Sequence, residues 1–468
     1  MPGYTMTIDG KAVKGSKSTG VINPATGKVF AEVPDCTKAE LDQAMSAAQR
    51  AFPAWSRDIN ARRKVLQECA AALQQPPEGL ARTLTQEQGK PLDKAGQEIM
   101  GTSMWCAYTA MLDLPSEVLQ DTPQGKIEIK RKPLGVVAAI TPWNYPLMLG
   151  MWKIAPALLA GNTIVLKPSP FTPITTLMLG EILRDIVPPG VLNVVSGGDE
   201  LGAWMTSHPA PRKISFTGSV ETGKKVAAAA APDLKRVTLE LGGNDAAIIL
   251  SDVDPAAVAP KIFWGAFENS GQICSAIKRV YVPEKSYAAL LEKLGELARG
   301  VKVGDGLEAG TQLGPINNKP QFERVTELVE DAKKHGAKIV SGGARVGKEG
   351  YFFAPTIVGN ISDGVRLVDE EQFGPALPVI AYKDVDDAVR RANATHFGLS
   401  GSVWSNDSAR GAEVASQLEC GSAWVNQHVA IAPNLPFGGA KWSGIGVENG
   451  PWGLLGFTKI QVVNSVKL

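Results

Sequence analysis

Apolar and polar positions along the chain follow two regimes. Over residues 38–52 and 60–73, Ala, Leu, Gln, Glu and Arg recur at near-helical spacing, which predicts two amphipathic helices. Pro76 and Pro77 interrupt them, and helices over 78–88 and 95–112 are expected beyond the break. At 126–132 the pattern turns to K-I-E-I-K-R-K, the alternation of an exposed antiparallel strand. Short apolar runs follow at 135–140, 163–166, 191–195, 213–216 and 246–250, with helical patterns such as 173–186 and 223–231 between them. Strands apolar on both faces that alternate with helices predict a doubly wound parallel α/β sheet. Such sheets bind ligands at the carboxyl ends of their strands.

The second half repeats this logic. Helices over 260–270, 287–299, 320–335 and 385–395, with strands at 279–282, 338–340 and 378–382, predict a second α/β lobe. The tail, 460–468, reads as a strand without a local partner. The strand at 126–132, in this subunit or another, is its expected mate.

Composition narrows the function. The 468 residues carry 48 Lys and Arg against 47 Asp and Glu, a net charge of +1, which argues against a nucleic-acid or polybasic membrane binder. The pure apolar runs are strand-length, far below the ~20 residues of a membrane span. The N-terminus lacks the apolar core of a signal peptide. Five scattered cysteines with no C-x-x-C, and four distant histidines, point away from a disulfide framework and from a metal site. A cytoplasmic, reduced protein without a membrane or nucleic-acid partner is expected.

Candidate chemistry sits at the ends of the apolar runs. The dinucleotide fingerprint G-x-G-x-x-G is absent; Gly304-x-Gly306-x-x-Ala309 approximates it but reads as a loop. No G-x-S-x-G elbow exists. Cys274, in E-N-S-G-Q-I-C-S-A, follows a helix rich in aromatics; a thiol at a loop-to-helix transition fits a nucleophile, and a buried core cysteine is the commoner use of the residue. Glu240, in T-L-E-L-G-G-N, closes an apolar strand where a general base or a plain turn carboxylate belongs. Asn144, in T-P-W-N-Y-P, offers an amide to an oxyanion or to its own turn. Lys167 ends a strand before Pro168, suiting a ribose or phosphate contact. F-T-G-S at 216–219, with Gly223, fits a phosphate-approaching turn that opens a helix.

Taken together and in order, T-P-W-N-Y-P, L-K-P-S, F-T-G-S, L-E-L-G-G, G-Q-I-C, E-E-Q-F-G-P and P-F-G-G-x-K-x-S-G resemble the aldehyde dehydrogenase superfamily, from about Asn23 to the C-terminus. The resemblance implies a Rossmann-like cofactor domain (1–117 and 134–242), an α/β catalytic domain (243–442) and an oligomerisation segment (118–133 and 455–468). In that segment the C-terminal strand pairs with a neighbouring subunit, giving a homodimer or homotetramer. It implies Cys274 as nucleophile, Glu240 as general base for deacylation, Asn144 as oxyanion donor and Glu448 as a proton relay. Thr141, Trp143, Lys167, Ser169, Gly218, Ser219, Glu371 and Phe373 would contact the dinucleotide, and Tyr145, Leu149, Trp152, Ile273, Ser275 and Phe437 would line the substrate tunnel. Oxidation of an aldehyde to the acid with NAD(P)+ follows, through a thiohemiacetal and a thioester on Cys274.

Two departures stand out. Asn244 replaces a frequent lysine. Pro170 stands where many NAD-dependent members carry a glutamate that holds the adenosine ribose and repels a 2′-phosphate, so NAD is expected as cofactor with NADP also accepted. The tunnel is apolar and aromatic, with no Arg or Lys in 143–152 or 269–277, which favours an aliphatic or aromatic aldehyde over betaine aldehyde. The alternatives are a CoA-acylating relative, which typically lacks a base at the Glu240 position, and a binding protein of the same fold.

Overall fold

The structure, a computed structural model, describes residues 3–466. Two large sheets form its frame. The first has eight strands and is built on a parallel centre. Leu192–Val194, Thr163–Lys167, Val136–Ile140, Pro211–Thr217 and Arg236–Glu240 lie side by side in that order, and Gly444–Ile445 adds an antiparallel edge. The second has seven strands, ordered Lys338–Ser341, Thr356–Gly359, Ala376–Tyr382, Ile277–Pro283, Asp245–Ile249, Ser400–Trp404 and Ser422–Val425, parallel throughout save for its first strand. The apolar runs became these central strands because each is buried on both faces.

Register puts the scattered motifs on one line. Ile140 pairs with Lys167 and with Phe216, and Thr217 pairs with Glu240. The segments that follow these strands, 141–144, 168–170 and 218–219, therefore leave from the same carboxyl edge. The chain then crosses from Glu240 to Asp245, which pairs with Ile277 at the start of the second sheet. The junction lies between the carboxyl edge of the first sheet and the amino edge of the second.

One stretch is added to the expected elements and two expectations are corrected. The stretch before residue 35 holds two hairpins, Met6–Ile8 with Lys11–Val13 and Ser18–Asn23 with Lys28–Pro34; the first of these extends the eight-stranded sheet. The helix expected over 260–270 is Pro255–Phe267. It gives way to a short turn in which Asn269 and Ser270 take left-handed backbone (φ 51° and 56°), so Cys274 sits between a helix and a strand rather than before a helix. The C-terminal strand, Thr458–Val466, finds the mate expected of it but within its own chain rather than in the neighbouring subunit the resemblance implied: it pairs along its whole length with Gly125–Pro133, whose other neighbour is Glu117–Thr122. Residues 467–468 of the expected tail strand lie outside the described residues.

Candidate active site

The helix Pro146–Ala160 is apolar on every side and buried, save that it carries Lys153. Its first residues follow Asn144, so its packing fixes that amide. Its N-cap has no side-chain partner of its own. Instead Glu98, reaching from the helix Leu92–Ala110, accepts the N–H groups of Leu147 (3.0 Å) and Met148 (3.3 Å) with one carboxylate oxygen, a cap supplied by tertiary structure. Lys90 bonds the other oxygen (2.5 Å) and the backbone carbonyl of Asn144 (2.9 Å), and its ammonium lies 3.7 Å from the centre of the Tyr145 ring.

Asn144 is buried. Its Nδ2 donates to the Gln272 carbonyl at 3.0 Å, which leaves the second N–H of that amide free. Gln272 belongs to the loop of Cys274, so the strand-end loop and the thiol loop are joined directly. Cys274 is half-buried, and desolvation, together with Glu240, Asp245 and Glu371, pushes its thiol up to about 12 despite the opposing charge of Lys278. A thiol eased into ionisation by neighbouring N–H groups was expected; burial among carboxylates does the opposite here.

Glu240 is fully buried and neither carboxylate oxygen has a partner. Burial first, then the nearby Glu448, holds its carboxyl well above the usual carboxylate range, and Lys153 works against both. Lys153 donates to Glu448 Oε1 (2.6 Å), Thr217 Oγ1 (2.9 Å) and Ser215 Oγ (3.1 Å). Glu448 Oε2 is left without a partner. Backbone bonds between Glu448 and Phe437 (2.7 and 2.8 Å) bring that carboxylate to the aromatic wall.

The wall itself is stacked. Trp152 lies against Trp105 (centroids 5.7 Å, interplanar 23°) and edge-on to Phe437 (5.7 Å). Leu149 and Ile273 are buried beside the same core. Ser275 has no exposed surface, and its carbonyl accepts from His428 Nε2 at 2.8 Å.

On the other side opens a cleft of about 680 Å³ lined by Thr141, Trp143, Lys167, Ser169, Pro170, Gly218 and Ser219, with Asp199 and Lys225. Ser219 caps the helix Val220–Ala230, and the Gly218 N–H is tied to the Glu240 carbonyl (3.0 Å). Burial lowers the Lys167 ammonium to about 8. Trp143 meets Phe373 edge to face at 5.2 Å. Glu371 Oε1 accepts the Gly243 N–H at 3.0 Å. A Cβ at Gly242 would lie 2.0 Å from Glu371 Oε2, and one at Gly243 2.8 Å from the Cys274 carbonyl, so both glycines of L-E-L-G-G are required by close approach.

Every site residue named from the sequence thus falls at or beside the junction of the two sheets. Lys90, Glu98, Trp105, Lys153, Asp199 and Lys278 were missed. Lys153 had a signal, a lysine in the middle of an otherwise apolar helix; Glu98 and Trp105 had none beyond their place on an amphipathic helix.

Two doubly wound sheets meeting at a cysteine, with a nucleotide-sized cleft on one side and an aromatic wall on the other, define the architectural class. The chain belongs to the aldehyde dehydrogenase family, whose sequence profile matches residues 12–463. It is 38% identical to the chloroplastic aminoaldehyde dehydrogenase of Arabidopsis thaliana over 99% of this chain and 96% of that one. It is 37% identical to human retinaldehyde dehydrogenase 3 over 97% and 91%. An aldehyde dehydrogenase of Bacillus cereus, solved as an NAD+ complex, superposes with a TM-score of 0.97 at 34% identity, covering 99% of this chain and 96% of the other. Family membership supports aldehyde oxidation. No helix among the described residues is long and apolar enough to cross a membrane.

Proposed function

We propose that the protein oxidises a neutral aliphatic or aromatic aldehyde to its carboxylic acid, with Cys274 as nucleophile. The observation that carries this reading is the buried, unpartnered carboxylate of Glu240 beside the thiol loop, because a base held without partners in a dry site is what hydrolysis of a thioester needs. A CoA-acylating enzyme has no use for it.

The dinucleotide cleft fits NAD. Glu371 is anchored by one oxygen and keeps the other for ribose hydroxyls, Lys167 reaches the cleft, and the Gly218–Ser219 turn opens a helix toward a phosphate. When bound, the nicotinamide supplies the hydride acceptor. The chain's own residues do the rest. The Cys274 proton leaves to a base as its sulfur bonds the carbonyl carbon. The free N–H of Asn144 and the Cys274 backbone N–H receive the oxyanion, which collapses to a thioester as hydride departs. Glu240 then takes a proton from water, whose oxygen attacks the thioester carbon; the C–S bond breaks, freeing the acid and the Cys274 thiolate. Lys153 and Glu448 behind Glu240 carry the proton away. Cys274→Ala should abolish turnover while dinucleotide binding persists; a variant with near-normal turnover sinks the assignment.

Charge favours a neutral substrate. The face of Tyr145 that a substrate cation would use is already covered by the Lys90 ammonium, and the wall of Trp105, Trp152 and Phe437 is apolar. Hexanal or benzaldehyde should exceed an aminoaldehyde in kcat/KM by about tenfold or more, the 1.4 kcal/mol of one modest apolar contact. Pro170 leaves the ribose site without its repelling glutamate, while Asp199 still faces the cleft. NAD is therefore the preferred cofactor and NADP a usable one. Pro170→Glu should reduce NADP use and spare NAD.

The domain boundaries stated above are retained as part of this reading, as is assembly with further copies of the chain. The strand Thr458–Val466 is a sheet edge with Ile460, Val462 and Val466 exposed, and Ser422–Val425 is one of the two edges of the seven-stranded sheet. A second copy can cover both. A monomer by light scattering at micromolar concentration would refute it.

A further inference from the structure

Four residues past Cys274, where the strand pattern calls for an apolar side chain, stands Lys278. Only 2% of its side chain is exposed. The side chain folds back under the loop it follows. Its ammonium donates to the carbonyls of Cys274 (2.5 Å) and Ile273 (3.0 Å), lies 3.5 Å from that of Ala276, and is 3.6 Å from Glu371 Oε1. The ammonium thus closes the thiol loop like a clasp and links it to the carboxylate at the edge of the dinucleotide cleft. Taking a cation out of water is unfavourable without such partners, and a packed apolar residue would fill the same volume without needing them.

The surrounding charges say what the cation does. Glu240, Asp245 and Glu371 face the thiol from three different elements and oppose its ionisation, and Lys278 favours it. The other titratable groups nearby are the Tyr145 phenol, pushed well above its ordinary range by burial, and His428, which burial lowers to about 3 and so keeps neutral.

We propose that Lys278 is a positioning residue for the reaction: its buried ammonium fixes the backbone of the Cys274 loop and supplies the positive charge against which the thiolate forms. This rests on Cys274 being the nucleophile. Substrate and dinucleotide do not touch Lys278 in this reading; it acts through the thiol.

The test follows the rate of iodoacetamide alkylation against pH in the full-length protein, for the wild type, Lys278→Gln, Lys278→Arg and Cys274→Ala. Glutamine keeps one donor for the loop carbonyls and removes the charge. Lys278→Gln should lower the alkylation rate about tenfold across the accessible pH range, the equivalent of one unit in the thiol's ionisation, and Lys278→Arg should restore most of it. A folded Lys278→Gln protein with the wild-type profile overturns the proposal. Should that variant not fold, Lys278→Arg decides: a near-wild-type profile supports the charge, and a profile displaced by a unit or more overturns it. Fast alkylation that survives in Cys274→Ala would instead sink the nucleophile assignment, a failure distinct from any result at Lys278.

Discussion

Two buried lysine–glutamate pairs flank the site and have been put to different uses. Lys90 and Glu98 meet at 2.5 Å, Lys153 and Glu448 at 2.6 Å, and all four side chains are essentially inaccessible. The first pair is saturated: one oxygen of Glu98 takes two helix N–H groups, the other takes the ammonium, and that ammonium also holds the Asn144 carbonyl. The second pair is not. Glu448 keeps an oxygen without a partner, and neighbouring Glu240 keeps two. A fully satisfied network fixes geometry; a partly satisfied one costs stability and has room for a water or a proton. The same chemistry thus serves as a bracket at Asn144 and, in the function proposed above, as a proton store beside Glu240.

The largest way to break this contrast is to remove the base. Glu240→Gln should lower steady-state turnover about 10²–10⁴-fold, the usual worth of a general base, while the first turnover still gives a burst of reduced cofactor. Loss of burst and turnover together would place Glu240 in the activation of Cys274 instead, and wild-type kinetics in both phases would end its role.

Breaking either pair comes next, and here the two should part. Lys90→Met and Lys153→Met each strand a buried carboxylate, at about 3–5 kcal/mol of stability. Conservative changes separate them. Glu98→Gln keeps an acceptor for the two helix N–H groups, so about 1–3 kcal/mol is expected from the weakened ammonium bond, with the pH–rate profile unmoved. Glu448→Gln takes a negative charge from beside Glu240, and the rising limb of kcat with pH should shift to lower pH. A shift in the Glu98→Gln profile, or none in Glu448→Gln, would erase the distinction.

How far the sequence disclosed this follows from the reach of each signal. The strands that end in Ile140 and Lys167 were legible because strands buried on both faces read as apolar runs, and the motifs behind them, with those at Thr217 and Glu240, fell at one edge by register. The hairpins before residue 35 were not, since their strands are three to seven residues long and mostly half-exposed, too short for alternation to register. The place of Cys274 after a turn rather than before a helix was hidden in the left-handed backbone of Asn269 and Ser270, which no apolar period reports. The two pairs were hidden by distance: Lys153 and Glu448 are 295 residues apart in the chain, and the Glu98 cap reaches 49 residues ahead. Lysines inside otherwise apolar elements, such as those at 153, 213 and 278, marked that something polar had to be waiting for them.

The smallest effect is also the one that most directly measures the unsatisfied half of the comparison. The Glu240 carboxyl is held above its ordinary value of 4.5, so between that value and its folded one the native state binds more protons than the unfolded chain. Stability therefore falls as pH rises through this window, by the difference in bound protons. Glu240→Gln has the shape of the protonated acid and no charge to bury, so it should gain on the wild type as pH rises: the two should melt together near pH 5 and diverge by roughly 1–3 °C near pH 9. Glu98→Gln, which weakens a fully paired network, should melt below the wild type at both pH values. Melting curves for the three proteins at the two pH values, recorded without cofactor, are sufficient. A Glu240→Gln protein less stable than the wild type at pH 9 would mean that the carboxylate has a native partner, and the proton store would reduce to a second bracket.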